Sequence, residues 1–209
     1  MQNYKINFIH ASRDTFFSYF CTMNLDEAIQ QTVSALREGK TILYPTDTIW
    51  GIGCDARNHN AIERLYAIKE RDHSKSMLVL VENNPSVLTM PNTPNSRPIT
   101  YILPFAIWHH EMHLEVADNL AAADGTLGVR IPQHVFCQEV IHQLGAPLVS
   151  TSANLSGQPS PQSYNEITNE LKRRVDFCVP PLPRLLSSET RGSRIVKINP
   201  DGSQTVIRP

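Results

Sequence analysis

Ile195-Val196-Lys197-Ile198-Asn199-Pro200-Asp201-Gly202-Ser203-Gln204-Thr205-Val206-Ile207-Arg208 holds two short runs, Ile195–Ile198 and Thr205–Arg208, on either side of an Asp-Gly turn. Runs joined by so short a turn can pair only antiparallel. Working back from this hairpin, strands and helices alternate. Thr41 to Tyr44 reads as a buried strand stopped by Pro45, and a helix from about Asn60 to Lys69 turns Ile62, Leu65, Tyr66 and Ile68 inward. A strand at Met77 to Val81 follows, then a Pro- and Asn-rich loop from Asn83 to Pro98, then strands at Ile99 to Leu103 and Leu127 to Ile131. Val135 to Leu144 predicts a helix ending at Gly145, Pro147 to Ser150 another strand, and Ser163 with Glu166 a capping box for a helix to about Arg173. An alternating chain that ends in an antiparallel hairpin predicts an α/β fold: a single-domain twisted mixed parallel/antiparallel sheet flanked by helices.

Towards the N-terminus the best-bounded element is a helix opened by Asn24. Leu25, Ala28, Ile29, Val33 and Leu36 recur at helical spacing, Glu27 stands at the capping-box position, and Gly39 tolerates positive φ just past the end. Residues 1–22 carry no clear period, and Met23 directly precedes the cap. They read as an N-terminal arm or an upstream extension, leaving 23–209 as the folded domain.

With 209 residues and 41% hydrophobic content the chain can bury one substantial core. A net charge of −1 and a pI near 6.7 argue against a protein that coats nucleic acid, because phosphate neutralisation needs a surplus of Lys and Arg. Cys21, Cys54, Cys137 and Cys178 form no C-x-x-C pair, so neither a zinc knuckle nor a disulfide framework is signalled. No apolar run approaches the ~20 residues of a membrane helix, and no secretory signal opens the chain. A cytoplasmic protein with reduced thiols and no membrane contact is the expectation.

Three constellations carry polar chemistry. Tyr44-Pro45-Thr46-Asp47-Thr48-Ile49-Trp50-Gly51-Ile52-Gly53 runs from a strand into a loop dense in hydroxyls and glycine, at a strand end where α/β sheets bind ligands. Read as structure alone, it is a turn in which the side chains satisfy backbone groups. Lys69-Glu70-Arg71-Asp72-His73-Ser74-Lys75-Ser76 puts three cations at and beyond a helix end. They suit a polyphosphate, or they compensate the helix dipole. Ser150-Thr151-Ser152-Ala153-Asn154-Leu155-Ser156-Gly157-Gln158-Pro159-Ser160 leaves a strand with many small hydrogen-bonding side chains that can cradle phosphate. Upstream, Arg130 stands inside an apolar strand after Thr126-Leu127-Gly128-Val129, and burial requires an anionic partner, either a protein carboxylate or a ligand.

In this order, Pro45-Thr46-Asp47-Thr48, Lys69-x-Arg71, Val129-Arg130-x-Pro132 and Ser150-x-Ser152-Ala153-Asn154-x-Ser156-Gly157 resemble the signature of the YrdC-type threonylcarbamoyl-AMP synthases. The tail from Ser193 to Arg208 resembles that family's last strand pair. The resemblance implies that L-threonine, bicarbonate and ATP give threonylcarbamoyl-AMP and pyrophosphate for tRNA modification, with Mg²⁺ entering on the ATP phosphates. By motif, Thr48, Arg130, Ser150 and Ser193 would contact threonine. Arg71, Lys75, Thr126, Ser152, Asn154, Ser160 and Arg208 would contact ATP, with Lys69 and Arg71 in the electrostatic role in catalysis. No protein metal ligands are implied. Downstream transferase proteins and a weak contact with double-stranded RNA or tRNA are the implied partners. A YciO-like paralogue with another substrate, or an RNA-binding protein without synthase activity, is the alternative.

The chain departs from the family pattern at Asp72, at Leu80 and at Ser96-Arg97-Pro98, where a Trp-Pro-Gly-Pro turn is usual. His109-His110-Glu111-Met112-His113 is a tempting metal pattern within an insertion, but it lacks the order of a zinc-protease motif and reads as a solvated histidine cluster.

Overall fold

In the computed structural model, residues 23–74, 76–82, 97–107, 115–187, 189 and 191–209 are described. The arm 1–22, Lys75, the loop at 83–96 and the His109–His113 cluster lie outside them. Helix α1 (Leu25–Arg37) begins as its sequence predicts. Asn24 Oδ1 accepts from Glu27 N at 3.0 Å, and Glu27 Oε2 accepts from Asn24 N at 3.0 Å. Two otherwise unpaired donors are satisfied reciprocally, and the helix is aimed so that Ala28, Ile29, Val33 and Leu36 are buried.

Among the described residues nine strands follow, interleaved with three further helices whose bounds are given: β1 (Ile42–Tyr44), β2 (Gly51–Gly53), α2 (His59–Lys69), β3 (Leu78–Leu80), β4 (Ile99–Pro104), β5 (Thr126–Arg130), α3 (Val135–Leu144), β6 (Leu148–Ser152), α4 (Asn169–Arg174), β7 (Phe177–Cys178), β8 (Arg194–Ile198) and β9 (Gln204–Arg208). The sheet runs β7-β1-β2-β6-β3-β5-β4-β8-β9. Three neighbours, β1/β7, β3/β5 and β4/β8, are parallel; the rest are antiparallel, including the hairpin β8/β9. The mixed sheet expected from the closing hairpin is the one formed.

Side chains alternate across the pleat and split the core in two. Leu43, Ile52, Val79, Val129 and Val149 join Ile62, Leu65 and Tyr66 of α2 on one face. Ile42, Tyr44, Leu80 and Leu148 join α1 and α3 on the other.

Two local expectations change. Gly51-Ile52-Gly53, read as loop, is a strand between β1 and β6, because its glycines let it approach β6 closely. The helix expected after Ser163 is split. Tyr164–Glu166 is a single 3₁₀ turn, Ile167 turns extended to bury itself, and Thr168 caps α4 by accepting from Leu171 N at 3.2 Å. Burying Ile167 outweighs helix continuity. The short β7 pairs with β1 and was not predicted.

A Cβ on Gly53 would stand 2.0 Å from the Val149 carbonyl oxygen, whereas one on Gly51 would have no contact closer than 3.3 Å. Gly53→Ala therefore has to part β2 from β6. The expected cost is about 2–3 kcal/mol, the upper part of the overpacking range, against a small change for Gly51→Ala. Chemical denaturation of both variants checks this, and equal stabilities would show that the strands can give way.

Candidate active site

Helices α1 and α3 cover only part of their sheet face. Beyond them, Ser150 (β6), Leu78 (β3), Gly128 (β5) and Ile102 (β4) lie in register across four strands and floor a cavity of about 270 Å³. Gly128 keeps that floor low, since a Cβ there would press on Leu78 Cβ at 3.3 Å. The loop after β1, the loop after α2, the end of β6 and the tail around Ser193 and Arg208 form the walls. Among the described residues three guanidinium groups, those of Arg71, Arg130 and Arg208, line the space, and no Asp or Glu does. Such a surface favours an anion.

Arg130, only 4% exposed, has its protein partner in Asp47. Nη2 lies 3.3 Å from Asp47 Oδ1, an ion pair without an aligned hydrogen bond, while Asp47 Oδ2 accepts from Gln133 N at 2.8 Å. Nη1 donates to Thr48 Oγ1 at 3.0 Å, and Thr48 Oγ1 lies 3.0 Å from Thr46 Oγ1. Among the described residues Arg130 Nε, which is buried, has no hydrogen-bond partner. One carboxylate held from behind leaves the guanidinium's other edge for a second. Of the residues expected at a threonine site, Thr48, Arg130, Ser150 and Ser193 all line this one cavity.

Of the residues expected on ATP, Arg71, Ser152, Ser160 and Arg208 line it too. Arg71 Nη2 donates to Ser76 O at 2.8 Å, and burial lowers the guanidinium's proton affinity. Arg208 Nε donates to Ser193 O at 2.7 Å and Nη2 to Ser193 Oγ at 3.3 Å. Burial first, then Arg97 and Arg130, lower its proton affinity. Thr126 stands at the far end of β5, donating to Asp124 Oδ1 at 2.6 Å, outside the cavity wall. Asn154 also lies outside it: Nδ2 donates to Leu155 O at 2.9 Å and Gln158 O at 2.7 Å, holding the turn, and its buried Oδ1 has no partner among the described residues.

Lys69 sits differently from Arg71. Glu70 takes a left-handed conformation, φ 51°, and ends α2 there. Lys69 stays in the last turn, 1% exposed, and donates from Nζ to Ser152 O at 2.6 Å and Asn154 O at 2.7 Å. Its own carbonyl accepts from Ser156 N at 2.9 Å. Burial, then Arg71, push the ammonium down to about 8, while the two carbonyls favour keeping its proton. The geometry makes it a staple for the 152–156 loop. Lys69→Met leaves two carbonyls unpaired, so a loss of about 1–3 kcal/mol is expected. Unchanged stability in urea would instead leave the ammonium free for substrate.

Sequence reading passed over Thr100 and gave Thr46 as one of the turn side chains that satisfy backbone groups. Thr46 Oγ1 accepts from Thr48 N at 3.1 Å and donates to Ile49 O at 2.8 Å, shaping the loop that carries Thr48. Thr100 Oγ1 meets Ser193 Oγ at 2.7 Å. Its place beside Ile102 on the cavity face of β4 follows from strand alternation, the one signal that pointed to it. Among the described residues no three His, Cys, Asp or Glu form a metal-holding group. Among its described residues the cavity wall offers a Mg²⁺ no carboxylate, so an ion there would have to draw its ligands from phosphate oxygens and water.

A family model described as "Telomere recombination", for Sua5, YciO and YrdC proteins, matches residues 34–209. A threonylcarbamoyl-AMP synthase of Photobacterium profundum is 30% identical over 196 residues, covering 86% of this chain and 97% of the relative. Among solved structures, P. abyssi Sua5 complexed with L-threonine superimposes with a TM-score of 0.70 at 23% identity, over 90% of this chain and 55% of that one. E. coli YciO does so with a TM-score of 0.68 at 24% identity, over 86% and 87%. A match over so much of the sequence, on a mixed sheet with this arginine-lined cavity, shows that the chain belongs to the Sua5/YciO/YrdC family.

Proposed function

We propose that this chain is an L-threonylcarbamoyladenylate synthase, a nucleotidyltransferase that makes threonylcarbamoyl-AMP and pyrophosphate from L-threonine, bicarbonate and ATP. The observation that carries the reading is one cavity, without Asp or Glu among its described lining residues, that brings Thr48, Arg130, Ser150 and Ser193 together with Arg71, Ser152, Ser160 and Arg208. An amino acid and a nucleotide have to share one space to be joined.

Arg130, backed by Asp47 and Thr48, takes the amino acid's carboxylate on the side of its guanidinium that lines the cavity. The hydroxyls of Thr48, Ser150 and Ser193 are set to receive its polar groups. The threonine amine bonds to the bicarbonate carbon and water leaves, giving a carbamate anion. One carbamate oxygen then bonds to the α-phosphorus as the bond to pyrophosphate breaks, and the carbamate needs no further base. Negative charge grows on the phosphoryl oxygens and leaving group, opposite Arg71 and Arg208. Catalysis is thus mainly positioning and neutralisation. A Mg²⁺ ion entering with ATP would supply further neutralisation, and the Ser152 and Ser160 hydroxyls, which line the cavity, would be the residues near it. The product is a mixed anhydride, which a transferase has to consume.

Pyrophosphate release is expected to require both bicarbonate and L-threonine, with threonylcarbamoyl-AMP identified by mass spectrometry across a panel of amino acids. Release that is equal without threonine would overturn the reading, and release with another amino acid would favour a YciO-like paralogue.

A further inference from the structure

Arg97 lies at the mouth of β4, outside the family's signature motifs, yet its guanidinium grips the tail. Nε donates to Gly192 O at 2.8 Å, Nη2 donates to the same oxygen, and Nη1 donates to Pro209 O at 2.5 Å. Among the described residues no Asp or Glu pairs with it. The residues it grips adjoin the cavity wall on both sides. Gly192 is followed by Ser193, and Pro209 is preceded by Arg208. Ser193 and Arg208 are also bonded to each other through both the carbonyl and the hydroxyl of Ser193. The fit is close, because a Cβ on Gly192 would stand 2.9 Å from Arg208 Nη2. From the sheet side, Thr100 holds Ser193 Oγ at 2.7 Å.

We propose that Arg97 is a positioning residue for both substrates, acting through Ser193 and Arg208. Its fork ties the approach to β8 to the end of β9, so that the Ser193 hydroxyl and the Arg208 guanidinium stand in the cavity wall before substrate arrives. A free strand end would have to be ordered at the moment of binding, and fixing it beforehand removes that cost. Arginine suits the task because one planar group brackets one carbonyl and still reaches a second; lysine has the charge without the fork.

The proposal rests on the synthase reading, so its test has one arm that does not. Arg97→Ala is expected to raise KM for ATP and for threonine about tenfold with kcat changed less than about threefold, and Arg97→Lys to recover part of the loss. In an Arg208→Ala background, adding Arg97→Ala should change KM for ATP by less than about twofold, since the residue through which it acts is gone. Additive losses, or a lowered melting temperature with both KM values unchanged, would overturn the proposal. Amide exchange in the full chain without substrate supplies the independent arm: exchange at residues 192–194 and 206–208 should quicken in Arg97→Ala. If the wild-type chain releases no threonine-dependent pyrophosphate, the synthase reading fails. The latch then stands on quickened exchange at those amides and falls if exchange is unchanged.

Discussion

Arg130→Met should cost about 3–5 kcal/mol of folding stability, because it leaves Asp47 charged, buried and without its cation. Both partners are nearly enclosed, with side chains 3% and 6% exposed at 3.3 Å. The sequence required an anionic partner for Arg130 without choosing between carboxylate and ligand, and the structure answers with both kinds of evidence. Asp47 occupies one edge, while among the described residues Nε has no partner. A double variant, Arg130→Met with Asp47→Leu, removes both charges and should be less destabilised than Arg130→Met alone, although Gln133 N then loses its acceptor. Neither variant should bind threonine. Urea denaturation of the wild type, Arg130→Met, Asp47→Leu and the double variant gives the coupling between the two side chains. If the two single losses simply add, Asp47 is no partner and Arg130 is held by other bonds.

What was legible in the sequence followed from short-range rules. The capping box at Asn24 and Glu27, the helix Val135–Leu144 and the closing hairpin each depend on residues within a few positions of one another. The missed pieces depend on contacts between distant segments. β2 is a strand only because Gly53 can lie against Val149, and α4 starts late only because Ile167 finds a hole in the core. The site divides in the same way. Motif order placed Thr48, Arg71, Arg130, Ser150, Ser152, Ser160, Ser193 and Arg208 together, and all eight line one cavity. Spacing could not separate Lys69 from Arg71. Two residues apart, they were expected to lean toward one anion, but the left-handed Glu70 leaves Lys69 stapling the 152–156 loop while Arg71 enters the wall. Arg97 was visible only as a departure from the family's turn. Its purpose lies about a hundred residues away, at Gly192 and Pro209.

That separation sharpens the expectation for Arg71. Arg71→Ala should slow the chemical step by about 10²–10³-fold, or roughly 2.7–4 kcal/mol of barrier, the scale for one preorganised donor facing charge that grows in the transition state. Folding should change far less. The side chain is half-buried and Nη2 donates to Ser76 O, a bond whose loss costs about 0.5–1.5 kcal/mol. Arg71→Lys keeps a charge in the wall but neither the fork nor the hold on Ser76, so it should recover only part of the rate. Lys69→Met should behave in the opposite sense, losing stability first and rate in proportion to how far the Ser152–Asn154 segment moves. Were Arg71 only compensating the α2 dipole, its removal would cost a little stability and leave catalysis intact. Single-turnover rates at saturating ATP and threonine, read beside melting temperatures for the three variants, separate these cases. A near-wild-type rate for Arg71→Ala would leave Arg208, held by Ser193, as the remaining described guanidinium placed to meet the leaving pyrophosphate, because Arg130 is committed to Asp47 and the carboxylate end.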